Sequence, residues 1–386
     1  MIGIDITATQ NQYKDRGIGV LTRKVVEEMV KKIPGQIVLF GLGNQTDLQE
    51  PAVKFVSIGR LKPLSVLTRP LYKRDLYEAV VRNRRKEGYR IHTFFSPFIH
   101  AGVPYIPGVQ TYAYVHDMIQ KESGTYTRKN NIVAKVKSKQ YAADWKALGE
   151  AKGIITPSNT VKHVVMKYLG KSNITVAYPG VDHEIYNRGH LKNPAYIEEH
   201  YGVEGKYILY FGGDEPNKNI ELVIDAYALY RERCPEDPAL LVIAGGGFSN
   251  QKNYVKKKYP ALLPFVIFTG YIPDDEKIYV IVNASICIHL SLNEGFGLAV
   301  LEAMACGIPC ILSDISAYRE VFGSNALIVP LTSKVVAADS AATHICAIMQ
   351  DTKMRQVYSE LAYTCSNTYT WEKTAKSILS VLQDGL

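Results

Sequence analysis

Ser291-Leu292-Asn293-Glu294-Gly295-Phe296-Gly297-Leu298-Ala299-Val300-Leu301-Glu302-Ala303-Met304-Ala305-Cys306-Gly307 is the stretch on which the reading of this chain turns. It leaves the buried-strand pattern Ser285-Ile286-Cys287-Ile288-His289-Leu290, turns through two glycines and enters a helix. A strand feeding a helix through a short glycine turn is the repeating step of a doubly wound parallel sheet. Upstream the step recurs in KYILYFGG followed by a helix over 220–233, then in ALLVIAGGG and FVIFTGY with a helix from Asp274. Downstream come IPCILSD, NALIVP and helices near 337–349, 353–363 and 371–383.

The first half follows the same plan. IGIDI, IVLFG, FVSIG, TFFSP, TYAYVHD, GIITPS and NITVAYPG read as strands, and Val25, Val26, Met29, Val30 and Ile33 recur at helical spacing. Between the two patterns, residues 178–201 are rich in Gly, Pro, Asn and His and read as a linker. At 386 residues, two domains of ordinary size are expected, 1–185 and 186–369, facing each other across a cleft.

The composition is that of a folded protein, 47% apolar and 21% charged, which excludes disordered and collagen-like classes. The charge is uneven. Lys and Arg outnumber Asp and Glu 30 to 17 in residues 1–200, and are outnumbered 15 to 20 in residues 201–386. The first half should therefore attract anions more strongly. All six cysteines fall in the second half, mostly within apolar segments, and read as reduced core residues of a cytosolic protein. Cys306 and Cys310 lack the spacing of a zinc pair, so no metal site is expected. No signal-peptide pattern opens the chain, and no apolar run reaches the ~18 residues of a membrane span.

In the opening stretch, backbone amides and the positive end of a helix dipole converge at Gly295, Phe296, Gly297 and Leu298, which makes an anion site suited to a phosphate. Glu294 and Glu302 flank it by roughly ten Å, a layout that fits a nucleotide-diphosphate sugar with hydroxyls at both ends. Read alone, Glu294 is a solvated loop residue and Glu302 a surface residue of an amphipathic helix. A glycosidase acid pair is disfavoured, because a helix dipole opposes the raised pKa a general acid needs. In Gly212-Gly213-Asp214-Glu215-Pro216-Asn217-Lys218-Asn219, Lys218 could reach a diphosphate, and Asn219 reads as a helix N-cap. Gly17-Ile18-Gly19 joins the first strand to the first helix but is not a dinucleotide fingerprint. His116 ends a strand at the carboxyl edge of its sheet, where such folds bind ligands.

These motifs together resemble the retaining glycosyltransferases of family 4. The specific part is NEGFGLAVLEAMACGIPCILSD, joined in family order by RGIGVLTRKVV, YVHDMI, IITPSNTVKHVVMKYLG, YPGVDHEIYN, GGDEPNKNIELVIDAY and VIFTGYIPDDEKIYVIVNASICIHLS. The resemblance implies an α/β, GT-B fold of two facing Rossmann-like domains, with residues from about 370 to 386 returning to the first. It implies transfer of a mannose- or glucose-type hexosyl unit to a glycan or lipid-linked acceptor, in cell-surface polysaccharide or glycoconjugate synthesis. No cofactor is expected beyond the nucleotide-diphosphate sugar substrate. Catalytic roles fall on Glu294, His116 and Lys218. Donor contacts fall on Gly17, Gly19, Gly212, Gly213, Asn217, Lys218, Glu294, Gly295, Phe296, Gly297, Leu298 and Glu302. Family members often carry Arg where Asn217 stands, which halves the side-chain charge of that motif here.

Residues 71–90, LYKRDLYEAVVRNRRKEGYR, can form a helix with Leu76, Tyr77, Val80 and Val81 set against bases. Either it docks on an anionic membrane, as a peripheral protein at the inner face of the cell membrane, or it packs on the core with a solvated charged face. Two rival functions remain. A non-catalytic nucleotide-sugar-binding subunit is made thinkable by Asn217. A nucleic-acid binder would explain the basic half but lacks interleaved aromatics, so no nucleic-acid partner is expected.

Overall fold

The computed structural model describes residues 1–43, 48, 53–58, 69–86, 90–98, 106–118, 142–189, 193–236 and 239–383. They divide into two compact units, Met1–Gly180 with Trp371–Leu386, and Val181–Thr370.

The first unit is built on a parallel sheet of β1 (Ile2–Asp5), β2 (Ile37–Gly41), β3 (Lys54–Ser57), β4 (Thr93–Ser96), β5 (Gln110–Tyr114), β6 (Gly153–Thr156) and β7 (Ile174–Val176). Its spatial order is β3-β2-β1-β4-β5-β6-β7. The second sheet holds β8 (Tyr207–Phe211), β9 (Leu240–Ala244), β10 (Val266–Gly270), β11 (Ile286–His289), β12 (Cys310–Ser313) and β13 (Leu327–Val329), in the order β10-β9-β8-β11-β12-β13. Strands β1, β2, β4, β8, β11 and β12 are buried at every residue, which is why their sequences are mostly apolar with no polar–apolar alternation, their few polar residues falling at strand ends.

Each sheet reverses its winding once, between β1 and β4 in the first and between β8 and β11 in the second. Such a reversal parts the loops at the carboxyl ends of two adjacent strands and leaves a crevice for ligand. In the second sheet those two loops are the Lys218 loop and the Glu294 loop, so topology alone brings the two motifs together.

The helices that matter for the site are α1 (Gly17–Lys32), α2 (Arg69–Lys86), α3 (Ile220–Arg233), α4 (Asp274–Val282), α5 (Leu298–Ala305) and α6 (Trp371–Gln383). In α6, Trp371, Thr374, Ala375, Ile378, Leu379 and Leu382 form one buried stripe. The helix packs on α1, with Lys32 paired to Glu372 at 2.7 Å and Thr374 Oγ1 donating to the Tyr178 carbonyl at 2.7 Å.

Helix α2 turns Leu76, Ala79 and Val80 into the core, whereas Tyr77 is exposed. Tyr77 thus falls outside the apolar stripe assigned to it from sequence. Arg74 and Arg82 are exposed and pair with Asp75 and Glu78. Residues 87–89 of the expected helix, and the side chains of Lys73, Arg84, Arg85 and Lys86, lie outside the described residues. No helix among the described residues is long and apolar enough to cross a membrane.

Candidate functional site

At the second reversal, the loop after β8 runs through Gly212 and Gly213 into a single turn of 3-10 helix over Pro216–Lys218. Gly212 lies against the loop after β9: its amide donates to the Ala244 carbonyl at 3.0 Å, and a Cβ on Gly245 would stand 2.1 Å from the Gly212 carbonyl oxygen. Gly245-Gly246-Gly247, read from sequence only as the end of a strand, is therefore what lets two loops of the site touch.

Asn219 occupies the N-cap position of α3, but its side chain caps nothing. It adopts φ 53°, the one positive φ outside glycine among the described residues, and its Nδ2 donates to the Leu290 carbonyl at 3.1 Å. Asn tolerates this left-handed conformation better than most residues, and the outward hydrogen bond is what it provides here. Asn217 does the same on the other side of Lys218. Its Nδ2 donates to the Asn293 carbonyl at 3.1 Å, and its own carbonyl accepts from the Leu292 amide at 2.7 Å. Two asparagines thus staple the β8 loop to the β11 loop and hold Lys218 between them.

The result is an ion pair, Lys218 Nζ to Glu294 Oε1 at 2.8 Å. Ser291 Oγ donates to the same oxygen at 2.8 Å. The Lys218 and Glu294 side chains are 24% and 11% exposed, so the pair is sheltered yet open to a ligand.

Beyond Glu294 the chain anchors itself through Phe296, which is buried edge-on against Tyr369 at 5.6 Å between ring centroids. The Phe296 side chain is a core contact, leaving only its backbone for a ligand. Gly297 starts α5 with φ 112°, and a Cβ there would stand 2.9 Å from the Tyr318 ring and 3.1 Å from Phe322. Only glycine meets both demands. The first-turn amides from Leu298 onward have no acceptor within the helix and point its positive end at the loop.

Glu302 is not a surface residue. It is 8% exposed, because α5 is buried from Val300 to Ala305, and a lone acid in that position needs a partner. The partner is Lys277 of α4, whose Nζ lies 3.3 Å from Oε2 and 3.5 Å from Oε1. Lys277 also stands 5.6 Å above the Tyr186 ring and 3.7 Å from Asp274. Burial pushes the Glu302 carboxyl above its ordinary range while Lys277 pulls it back. Burial alone would lower Lys277, but Glu302, with Tyr186 and Asp274, carries it upward. Sequence reading missed Lys277, Tyr186, Ser291 and the triple glycine. The signal for Lys277 was indirect, a single acid inside LAVLEAMA that could be buried only with a cation nearby.

In the first unit, Gly17 and Gly19 lie within the opening turn of α1. A Cβ on Gly19 would stand 2.3 Å from the Tyr13 carbonyl oxygen and 2.5 Å from that of Lys14, so this glycine makes room for the chain's own backbone. His116 follows β5, and its Nε2 donates to the Pro97 carbonyl at 2.7 Å, which leaves Nδ1 as the ring's acceptor. Burial lowers its pKa to about 4, against the Pro97 hydrogen bond, so the ring is neutral near pH 7. The six cysteines are free. Among the described residues no group of three or more His, Cys, Asp or Glu is arranged to hold a metal ion.

Comparison with known proteins bears on this arrangement. Residues 16–185 match the model of Glycosyltransferase Family 4, and residues 198–364 match that of Glycosyl transferases group 1. The chain belongs to the family 4-like glycosyltransferases. The chain is 28% identical over 166 residues to O-antigen chain mannosyltransferase B of Escherichia coli, covering 43% of this chain and 42% of that protein. It is 27% identical over 187 residues to a phosphatidyl-myo-inositol mannosyltransferase of Mycobacterium tuberculosis, covering 47% and 48% respectively. The matches span under half the length of these curated relatives. Its fold matches that of WaaG, a glycosyltransferase involved in lipopolysaccharide biosynthesis, with a TM-score of 0.74 at 13% identity over 99% of both chains. The two parallel-sheet α/β units of this chain are thus of the GT-B type.

Proposed function

We propose that the protein transfers a mannose- or glucose-type hexosyl unit from a nucleotide-diphosphate sugar to an acceptor hydroxyl, with retention of anomeric configuration. The observation that carries this reading is the Lys218–Glu294 pair, held at the positive end of α5 by Asn217 and Asn219. Lys218 and the amides from Gly295 to Leu298 would meet the diphosphate, Glu294 the hydroxyls of the sugar, and Glu302 the ribose. Asn217, standing where relatives often carry Arg, adds no charge; it fixes the loop from which Lys218 acts.

In this reading the acceptor oxygen bonds to the anomeric carbon as the bond from that carbon to the β-phosphate oxygen breaks. The acceptor proton passes to the departing phosphate. Attack comes from the leaving-group side, which retains configuration without a protein nucleophile. The protein's contribution is to orient both substrates and to stabilise the charge gathering on the phosphate. Lys218 and the α5 terminus supply that stabilisation without a bound metal.

The acceptor is assigned to the first unit, where neutral His116 follows β5 at the carboxyl edge of the sheet with Nδ1 able to accept from a sugar hydroxyl. A lipid-linked or glycan acceptor agrees with the names of the two relatives. An anionic membrane surface would meet the exposed bases of α2 by charge alone, since its apolar stripe is spent in the core.

The test is a thermal-shift screen with GDP-, UDP-, ADP- and dTDP-sugars, followed by turnover with the best donor and NMR of the product anomer. A product with the donor's configuration supports the proposal. Inversion removes the retaining mechanism, and binding without turnover against any acceptor leaves a nucleotide-sugar-binding subunit instead. Flotation with anionic vesicles at low salt, lost at high salt, would support the membrane contact; equal failure with anionic and neutral vesicles removes it.

A further inference from the structure

We infer that Lys277 is a positioning residue, which holds the Glu302 carboxylate as an acceptor for the ribose 2′- and 3′-hydroxyls of the donor nucleotide. The inference rests on the donor reading above and deepens it. Its ground is geometric. Glu302 projects from a helix buried along this length, and its two oxygens lie 3.3 and 3.5 Å from one ammonium. Lys277 is itself held in place, over the Tyr186 ring at 5.6 Å and beside Asp274 at 3.7 Å, with 19% of its side chain exposed.

A carboxylate can accept from two vicinal hydroxyls at once only while it is ionised. Burial works against that state. The other titratable groups facing Glu302 do not help. Asp274 and any charge on Cys287 oppose it, and burial keeps Tyr186 and Cys306 protonated. Lys277 is the cation that opposes burial here, and a cation with both carboxylate oxygens in reach also fixes their direction.

The full-length chain would be titrated with UDP and GDP and with their 2′,3′-dideoxy counterparts from pH 5.5 to 9, as wild type, Lys277→Met and Lys277→Arg. The wild type should prefer the ribonucleotide about 10-fold, as expected for hydrogen bonds to a charged group. Lys277→Met should lose that preference at the acidic end and regain it as the pH rises and Glu302 ionises unaided. Lys277→Arg should restore it throughout. A Lys277→Met protein that keeps the full preference at every pH overturns the inference and leaves the donor reading standing. A wild type with no ribose preference overturns both.

Should Lys277→Met fail to fold, Glu302→Gln and Glu302→Gln/Lys277→Met carry the same test, since neither leaves a buried charge of Glu302 unpaired. Equal nucleotide affinity of the two supports action through Glu302. A further 10-fold loss on removing Lys277 shows direct contact with the ligand and overturns the inference.

Discussion

Each sheet has its own topological reversal, and the carboxyl edges at the two are furnished differently. In the second unit the edge carries two buried or half-buried ion pairs, Lys218–Glu294 and Lys277–Glu302. In the first unit the strand ends carry Asp5, whose carboxylate is capped by the Thr7 amide and hydroxyl, the buried hydroxyl of Ser96, neutral His116 and exposed Asp117. In the half of the chain rich in bases, the described cations nearest this edge, Lys14 and Arg16, stand in the loop between β1 and α1, while the half with an acidic excess pairs two lysines with carboxylates there. Net charge is a property of the whole surface, whereas ligand chemistry is decided by the few groups that topology gathers at one point. The exposed bases of α2 accordingly say more about an outer surface than about the sheet edge.

Removing the charges of the second edge should break the contrast most severely. Lys218→Ala and Glu294→Gln are each expected to lower turnover with the best donor about 10²–10³-fold, the usual loss for one group stabilising transition-state charge. Steady-state kinetics would show it, and a loss below 3-fold would take both residues out of the reaction. Next comes the framework of that edge. Gly297→Ala forces a side chain into a left-handed φ and against Tyr318, so urea unfolding should show a loss of about 3 kcal/mol. An unchanged midpoint would mean that the loop can move aside.

The neutrality of His116 is tested by pH. The His116 pKa, lowered to about 4 in the fold against about 6.5 unfolded, means that the unfolded chain binds the extra proton between those values. Stability therefore falls as pH drops from about 6.5 to about 4, by on the order of 3 kcal/mol, and this contribution is constant outside that window. Denaturation of His116→Gln across this range should lack that slope, and an identical slope in the variant would locate it elsewhere. The smallest expected effect sharpens the role of the asparagine staple. Asn219→Ala should cost about 1–2 kcal/mol in thermal unfolding, and Asn219→Gly less, because glycine keeps the backbone conformation and loses only the bond to Leu290.

Much of the second unit was legible along the chain because its signals are local. A continuous apolar run such as ICIH, a glycine turn and an apolar helix are each complete within a few residues. The weaker readings were those that depend on what lies opposite. Tyr77 fits an apolar stripe by spacing, but the core it would face ends at Leu76 and Val80. Asn219 has the residue type of an N-cap, yet the Leu290 carbonyl, 71 residues away, takes its amide. Gly19 looks like an approach for a ligand and instead admits the Tyr13 and Lys14 carbonyls. Glu302 looks exposed on a short helix read in isolation, because the elements that cover it from Val300 to Ala305 lie outside that helix.

The sequence by itself determined two doubly wound parallel sheets, the order of their elements and the motif that carries the anion-binding turn. Periodicity and turn chemistry act over a few residues, and those features need no more than that. Only the tertiary structure decided that Lys218 pairs with Glu294, 76 positions away, and Lys277 with Glu302, 25 positions away. Such pairings follow from the winding of the sheet and the depth of burial. Both are set by the whole unit at once, so no stretch of sequence read alone contains them.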